Sequence, residues 1–306
     1  MMEKSTLGRS ELEVSRLSLG SWRTFERLTR DDAVSVMGAA RELGLNFLDD
    51  ARYDDETGRA PIPSGYSEVV FGELFRAVGW DRAATVVSNK LWWEFWPQQS
   101  AAAELDGSLS RMGFDYVDLI YANPPPDGLA IDELVAAMGE LVSSGRARAW
   151  GTVNWEAGQL IEAIRSATRQ EVDQPCAVQL PYSLVAREFV ESIEMRAALE
   201  ASGAGVVASF VMAGGVLTGK YDDGGSGRAD RDFETARFAA AREQGRRLRA
   251  LAPEVGCSPA ALAIAFALAN PAVASVLVGA TSPEQLAENV AALELGPAAV
   301  QRLLDG

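Results

Sequence analysis

"LGSWRTFERL", residues 19–28, follows the first strand candidate and decides between two α/β architectures. A doubly wound sheet needs a G-x-G-x-x-G turn at this point, because bare glycine backbone must approach a pyrophosphate. Here Gly20 is followed by Ser21, Trp22 and Arg23, and no second glycine arrives. The rival is a (β/α)8 barrel, which asks for repeated strand–helix units over roughly 250 residues. Reading outward, short apolar runs flanked by Gly, Pro, Asn or Asp predict strands at 16–20, 46–49, 85–90, 117–123, 149–154, 176–180, 205–210 and 275–279. Helical periodicity falls between them. In 31–44, Val34, Met37, Ala40 and Leu43 share one face and Gly44 closes the helix. The stretch 132–145 repeats the plan with Leu134, Met138 and Leu141, and similar patterns cover 97–112, 156–168, 188–202, 259–269 and 283–294. The expected fold is therefore α/β, one (β/α)8 TIM barrel domain spanning 1–306. Two pieces stand outside the repeat: a β-hairpin at 5–15 and a long Gly/Asp/Arg-rich loop at 213–236, after the seventh strand.

Composition narrows the chemistry. With 48% hydrophobic residues among 306, the chain can bury a large core. Its 43 acidic and 28 basic residues give a net charge of −15, which disfavours nucleic acid and anionic membrane as partners. The chain contains no histidine, which removes Ser-His-Asp and Cys-His catalysis and His-ligated metals together. Cys176 and Cys257 make no metal-ligand spacing, so no metal site is expected. The opening residues carry no apolar run of signal-peptide length, and a soluble cytoplasmic protein is expected. A homo-oligomer is compatible with this composition.

The working face of a (β/α)8 barrel lies at the C-terminal ends of its strands. Those ends deliver Gly20, Ser21 and Trp22, then Asp49, Lys90, Asn123, Asn154, Gln179, Phe210 and Gly279. Asn123 is conspicuous: in "DLIYANPPPDG" (118–128) the prolines stop the strand, so a lone amide is its last side chain. An aspartate–lysine pair on adjacent strands, with Tyr53 nearby, can lower a phenol pKa from its reference of about 10. A tyrosine so tuned can protonate an alkoxide as hydride arrives, and the hydride must come from a cofactor.

Several stretches carry a resemblance: "GLNFLDDARY" (44–53), "GYSEVVFGELF" (65–75), "SNKLWW" (88–93), "GFDYVDLIYAN" (113–123), "GTVNW" (151–155), "QLPYSLVARE" (179–188), "GVLTGKY" (215–221) and "LVGATSPEQLAENVAAL" (277–293). In this order they resemble the aldo-keto reductases, NADPH-dependent barrel enzymes that reduce aldehydes and ketones. Through "YANPPPD", "LTGKYDDG" and "VGATSPEQLAEN" the chain is most similar to the branch of potassium-channel β subunits and their bacterial relatives. The resemblance implies a catalytic tetrad of Asp49, Tyr53, Lys90 and Asn123, with asparagine where most members keep histidine. It also implies NADPH or NADP+ as cofactor, NADH remaining open, and a small carbonyl compound as substrate. Asn154 and Gln179 stand where the family holds the nicotinamide carboxamide. Lys220 and Arg228 resemble the residues that reach the phosphates, and Gln285, Glu288 and Asn289 those at the adenosine end. Gly279 and Thr281 match the passage beside the 2′-phosphate, and Gly20, Ser21 and Trp22 join the cofactor candidates.

The chain also departs from the pattern. The family places its tyrosine five residues after the aspartate, where Asp54 stands here, so Tyr53 is one residue short. The stretch 54–65 is longer than usual, Val153 replaces a serine or threonine, and "SFVMAGG" (209–215) replaces the segment that wraps the pyrophosphate. Trp22, Trp92 and Trp93, with Phe95 and Trp96 beside them, predict a mouth for a bulky, aromatic or sugar-like substrate. Two other readings use the same residues: a cofactor-binding regulatory protein with vestigial catalysis, and a reductase of C=C or C=N bonds.

Overall fold

The computed structural model describes residues 2–225, 227, 229 and 233–305. A two-stranded antiparallel hairpin, β1 (Lys4–Thr6) and β2 (Glu13–Ser15), precedes eight parallel strands that close into a barrel. In chain order these are β3 (Leu17–Gly20), β4 (Phe47–Asp49), β5 (Val86–Leu91), β6 (Val117–Ala122), β7 (Ala147–Val153), β8 (Ala177–Pro181), β9 (Gly205–Ser209) and β10 (Val273–Val278), with β10 returning to pair with β3. The helices are α1 (Arg30–Glu42), α2 (Tyr66–Val78), α3 (Ala101–Met112), α4 (Ile131–Ser143), α5 (Ala157–Gln170), α6 (Glu188–Glu191), α7 (Ile193–Ser202), α8 (Ala239–Leu251), α9 (Pro259–Leu268), α10 (Pro283–Val290) and α11 (Pro297–Asp305). The expected TIM barrel with its N-terminal hairpin is the fold. Among the described residues no single helix is long and apolar enough to cross a membrane.

Strand alternation sorts the core into two layers. Phe47, Val86, Leu119, Tyr121, Val153, Ala177 and Val207 fill the barrel, while Leu48, Val87, Ile120 and Leu180 face the helices. Leu7, Leu12 and Val14 of the hairpin join the inner cluster and close the barrel's N-terminal end. That docking is tight, since a Cβ on Gly8 would lie 2.2 Å from the Cys176 carbonyl oxygen. Gly151 serves the interior similarly: a Cβ there would meet the Ala177 oxygen at 2.5 Å and the Tyr121 ring at 3.1 Å.

Helix boundaries follow their caps. Thr29 accepts from the Asp32 N–H to start α1, and Ser100 accepts from Ala103 to start α3, so that helix begins later than the periodicity of 97–112 suggests. The 188–202 pattern splits in two at Ser192, whose hydroxyl caps α7 through the Met195 N–H. Two helices, α2 and α8, add to those the sequence predicts. α2 buries Phe71, Leu74 and Phe75 on one face with Gly72 among them, and α8 buries Ala241, Gly245 and Leu248. Within the 213–236 stretch a 3-10 turn spans Ala213–Thr218, and α8 follows the stretch closely.

Candidate active site

Period-two alternation builds the site. Two residues above Phe47, the inner face of β4 presents Asp49; two and four above Val86, that of β5 presents Ser88 and Lys90. Parallel register sets Asp49 against Ser88 and Lys90 against Tyr121. Asp49 and Lys90 form a buried ion pair at 2.5 Å, with side-chain exposures of 2% and 6%. The other Asp49 oxygen accepts from Ser88 Oγ at 2.7 Å and from Gln179 Nε2 at 3.4 Å. Lys90 Nζ also donates to Tyr53 Oη at 3.3 Å. Tyr53, not Asp54, therefore meets the lysine; Asp54 is exposed and pairs with Ser64 in an isolated bridge. Ser67 shapes the shortened segment, donating to the Ala51 carbonyl at 2.7 Å and accepting from the Tyr53 N–H at 3.4 Å.

Asn123 sits one residue past β6. Its backbone N–H and its Nδ2 both donate to the Leu91 oxygen, at 3.1 and 2.9 Å. One amide proton is thereby committed to the scaffold and the other remains as a donor. The Trp92 ring stands edge-on to Tyr53, with centroids 6.0 Å apart, and is 36% exposed. Trp93 is placed differently from a substrate-facing residue: it is 4% exposed, and its indole N–H donates to the Asn123 oxygen at 3.1 Å. Trp22 is half-buried beneath the Arg23 guanidinium, 4.9 Å from its ring.

The other candidates occupy the same rim. Ser21 donates its N–H to the Asp49 carbonyl at 3.0 Å, and Gly20 is packed against Leu277. Asn154 is exposed with a left-handed φ of 59°, a conformation asparagine tolerates. Gln179 is 4% exposed and turned toward Asp49. Lys220 follows the Ala213–Thr218 turn, where Gly214 and Gly215 have φ of 69° and 93°; a Cβ on Gly215 would come within 2.9 Å of the lysine side chain. Thr281 donates through N–H and hydroxyl to Gln285 Oε1, each at 3.0 Å. Gln285 and Glu288 are exposed on α10 beside half-buried Gly279, whereas Asn289 is buried. Arg228 lies outside the described residues.

The structure adds residues that local pattern reading passes over. Ser88 could have been found, since period two puts it on the inner face with Lys90. Asp50, Glu68 and Glu104 could not, because their partners arrive from distant segments. Glu68 on α2 accepts from Asn89 Nδ2 at 2.9 Å and pairs with Arg111 at 2.5 Å. Asp50 is fully buried and bonded to the Ser21 hydroxyl. Burial pushes the Asp50 carboxyl well above its ordinary range, and the Glu68 charge pushes the same way. Outside this layer, the longer 54–65 segment is tied across the mouth by Glu56, which pairs with both Arg23 and Arg27. Asp55 stiffens that segment by accepting from Thr57 and Ala60; the Thr57 hydroxyl, then the Ala60 N–H, bring its carboxyl down to about 2.

A buried acid–lysine pair serving a phenol at a barrel mouth is an arrangement for handling one proton. Comparison with known proteins agrees with the family the motifs suggest. The profile described as "Aldo/keto reductase family" matches residues 16–303. A rice protein (Oryza sativa subsp. japonica) named "Probable voltage-gated potassium channel subunit beta" is 35% identical over 99% of this chain and 95% of its own length. A protein of the same name from Arabidopsis thaliana is 33% identical over the same shares. With the profile covering the barrel from β3 to α11, and with full-length relatives at this identity, the chain belongs to the aldo/keto reductase family.

Proposed function

We propose that this protein is an NADPH-dependent reductase of an aldehyde or ketone, in which Tyr53 donates the proton. The observation that carries the reading is the chain Asp49–Lys90–Tyr53, at 2.5 and 3.3 Å, at the mouth of the barrel. Asp49 holds the ammonium, and the ammonium stabilises negative charge left on the phenol oxygen after proton transfer. Asn123 supplies its second amide proton to the substrate oxygen as a neutral donor. It orients and polarises the carbonyl but cannot titrate or relay a proton, so turnover is expected to be slow. Exposed Trp92 and Phe95 suit a bulky, aromatic or sugar-like substrate.

The residues present fit a nicotinamide dinucleotide. Two left-handed glycines bare the backbone beside Lys220, a donor set for pyrophosphate on a chain of net charge −15. Lys220 would hold the phosphates, with Arg228 as its expected companion. Asn154 and Gln179 would hold the carboxamide, Gly20, Ser21 and Trp22 would flank the dinucleotide, and Gly279, Thr281, Gln285, Glu288 and Asn289 would serve the adenosine end. When bound, the cofactor supplies the hydride.

A second reading is a cofactor-binding regulatory subunit, favoured by Asn123 and by the channel-subunit names of the plant relatives. Titration with NADPH and NADH, followed through the seven tryptophans, tests the shared premise. Saturable binding followed by carbonyl turnover that Tyr53→Phe abolishes supports the reductase. Tight binding without turnover across a broad carbonyl panel supports the regulatory subunit. Absence of binding in folded protein refutes both.

A further inference from the structure

Glu104 stands in the first turn of α3, 6% exposed. Its two oxygens reach past the helix to the rim, accepting from the backbone N–H of Trp92 at 2.7 Å and of Trp93 at 3.2 Å. Trp93 has a φ of 62°, a left-handed conformation that a bulky side chain keeps only when its surroundings hold it there. In that conformation its indole N–H meets the Asn123 oxygen, while Asn123 bonds twice to Leu91, the residue before Trp92. The ring of Trp92, on the same turn, forms the wall against Tyr53. One carboxylate on α3 therefore secures both the turn that anchors Asn123 and the ring that borders Tyr53. The charges facing it are Arg52, from the segment after β4, which favours its ionised form, and Glu68 of α2, which opposes it; burial opposes it most.

We propose that Glu104 is a positioning residue for the reduction, holding the Leu91–Trp93 turn so that Asn123 and Tyr53 face one substrate oxygen. This rests on the reductase reading above. The physical reason is acceptor count. An ionised carboxylate offers an oxygen to each of two neighbouring N–H groups, whereas the isosteric amide of glutamine offers one oxygen and turns an NH2 toward the other. One buried N–H is then left without its acceptor, and the left-handed turn loses what holds it. Trp93 relaxes, and its indole releases the Asn123 carbonyl.

The test uses the full-length protein and Glu104→Gln, with hydrogen exchange of the Trp93 indole read by NMR and its signal assigned from Trp93→Phe. Exchange at Trp93 is expected to quicken at least tenfold, as an opened hydrogen bond requires. The same change is expected to lower kcat about tenfold while KM and the NADPH dissociation constant stay within about twofold, the pattern of a lost transition-state alignment. Unchanged indole exchange, or a loss confined to KM and cofactor affinity, overturns the proposal. If the wild type neither binds NADPH nor turns over, the reductase reading fails, while the indole exchange still reports whether Glu104 holds the turn. Should Glu104→Gln fail to fold, Trp93→Phe carries the kinetic test, since it keeps both backbone bonds to Glu104 and removes the indole N–H together with the five-membered ring that carries it. An unaltered kcat in that variant overturns the proposal.

Discussion

Replacing Lys90 with methionine isolates the buried pair at the centre of the site. Asp49 is 2% exposed in its side chain, and after the change it retains only Ser88 Oγ at 2.7 Å and Gln179 Nε2 at 3.4 Å. Removing one partner of a buried ion pair costs about 3–5 kcal/mol, because the remaining charge stays desolvated. For 306 residues, the entropy of unfolding is about 0.64 kcal/mol/K at roughly 2.1 cal/mol/K per residue. Each kcal/mol then moves Tm by about 1.6 °C, so Lys90→Met is expected to lower Tm by about 5–8 °C at neutral pH. Adding Asp49→Asn removes the stranded charge while preserving its shape. The double variant should recover at least about 2 kcal/mol of that loss, a coupling typical of groups in one network. Calorimetry on the four proteins of the cycle measures it. A loss below about 2 °C, or a double variant no more stable than Lys90→Met, would falsify the view that Asp49 depends on the ammonium for its burial.

Other consequences follow from named contacts. Asp50→Asn tests the buried acid: a carboxyl held above its ordinary 3.8 contributes stability that is full below that value and is lost as pH rises through its folded value. The Tm of Asp50→Asn relative to wild type should therefore grow as pH rises above 3.8; a constant difference would exclude a buried neutral acid. Gly72→Ala would place a Cβ 2.0 Å from the Met112 oxygen, so α2 must separate from α3. A loss of about 3 kcal/mol or more in denaturant unfolding is expected, and near-neutral behaviour would mean that the two helices shift apart easily. Trp92→Ala should raise KM for an aromatic aldehyde about tenfold and leave a two-carbon aldehyde nearly unaffected, since only the former uses the ring. Glu56→Gln breaks pairs with Arg23 and Arg27 that are a quarter or more exposed. Its cost in Tm should correspond to less than about 1 kcal/mol, with any larger effect appearing in KM.

The barrel was legible because its evidence is local and repeated. Alternation in "TVVSNK" and "NFLD" already puts Lys90 and Asp49 on one face with Val86 and Phe47, and the prolines after Asn123 end its strand whatever lies around it. The place of Tyr53 was harder to read. Counting residues from Asp49 selects Asp54, yet Ser67, arriving from α2, bonds both sides of the segment and brings Tyr53 to Lys90. Trp93 illustrates the same limit, since adjacent tryptophans read alike until a left-handed backbone sends one outward and one into the wall. In α2 and α8 it is Gly72 and Gly245 that make sense only once the facing element is known, since a Cβ there would lie 2.0 Å from the Met112 oxygen and 2.8 Å from the Val216 oxygen.

What the sequence by itself determined is whatever depends on neighbours along the chain: strand and helix periods, caps, the Asp, Lys and Asn at strand ends, and the absence of histidine. Tertiary structure alone decided the rest. It brought Tyr53 within reach of Lys90, turned Gln179 toward Asp49, set the buried Asp50 in the field of Glu68, and spanned the rim with Glu104. The physical reason is closure of the barrel. Hydrogen bonds and charges between segments tens of residues apart depend on distances that exist only after β10 has paired with β3, and no spacing along the chain encodes them.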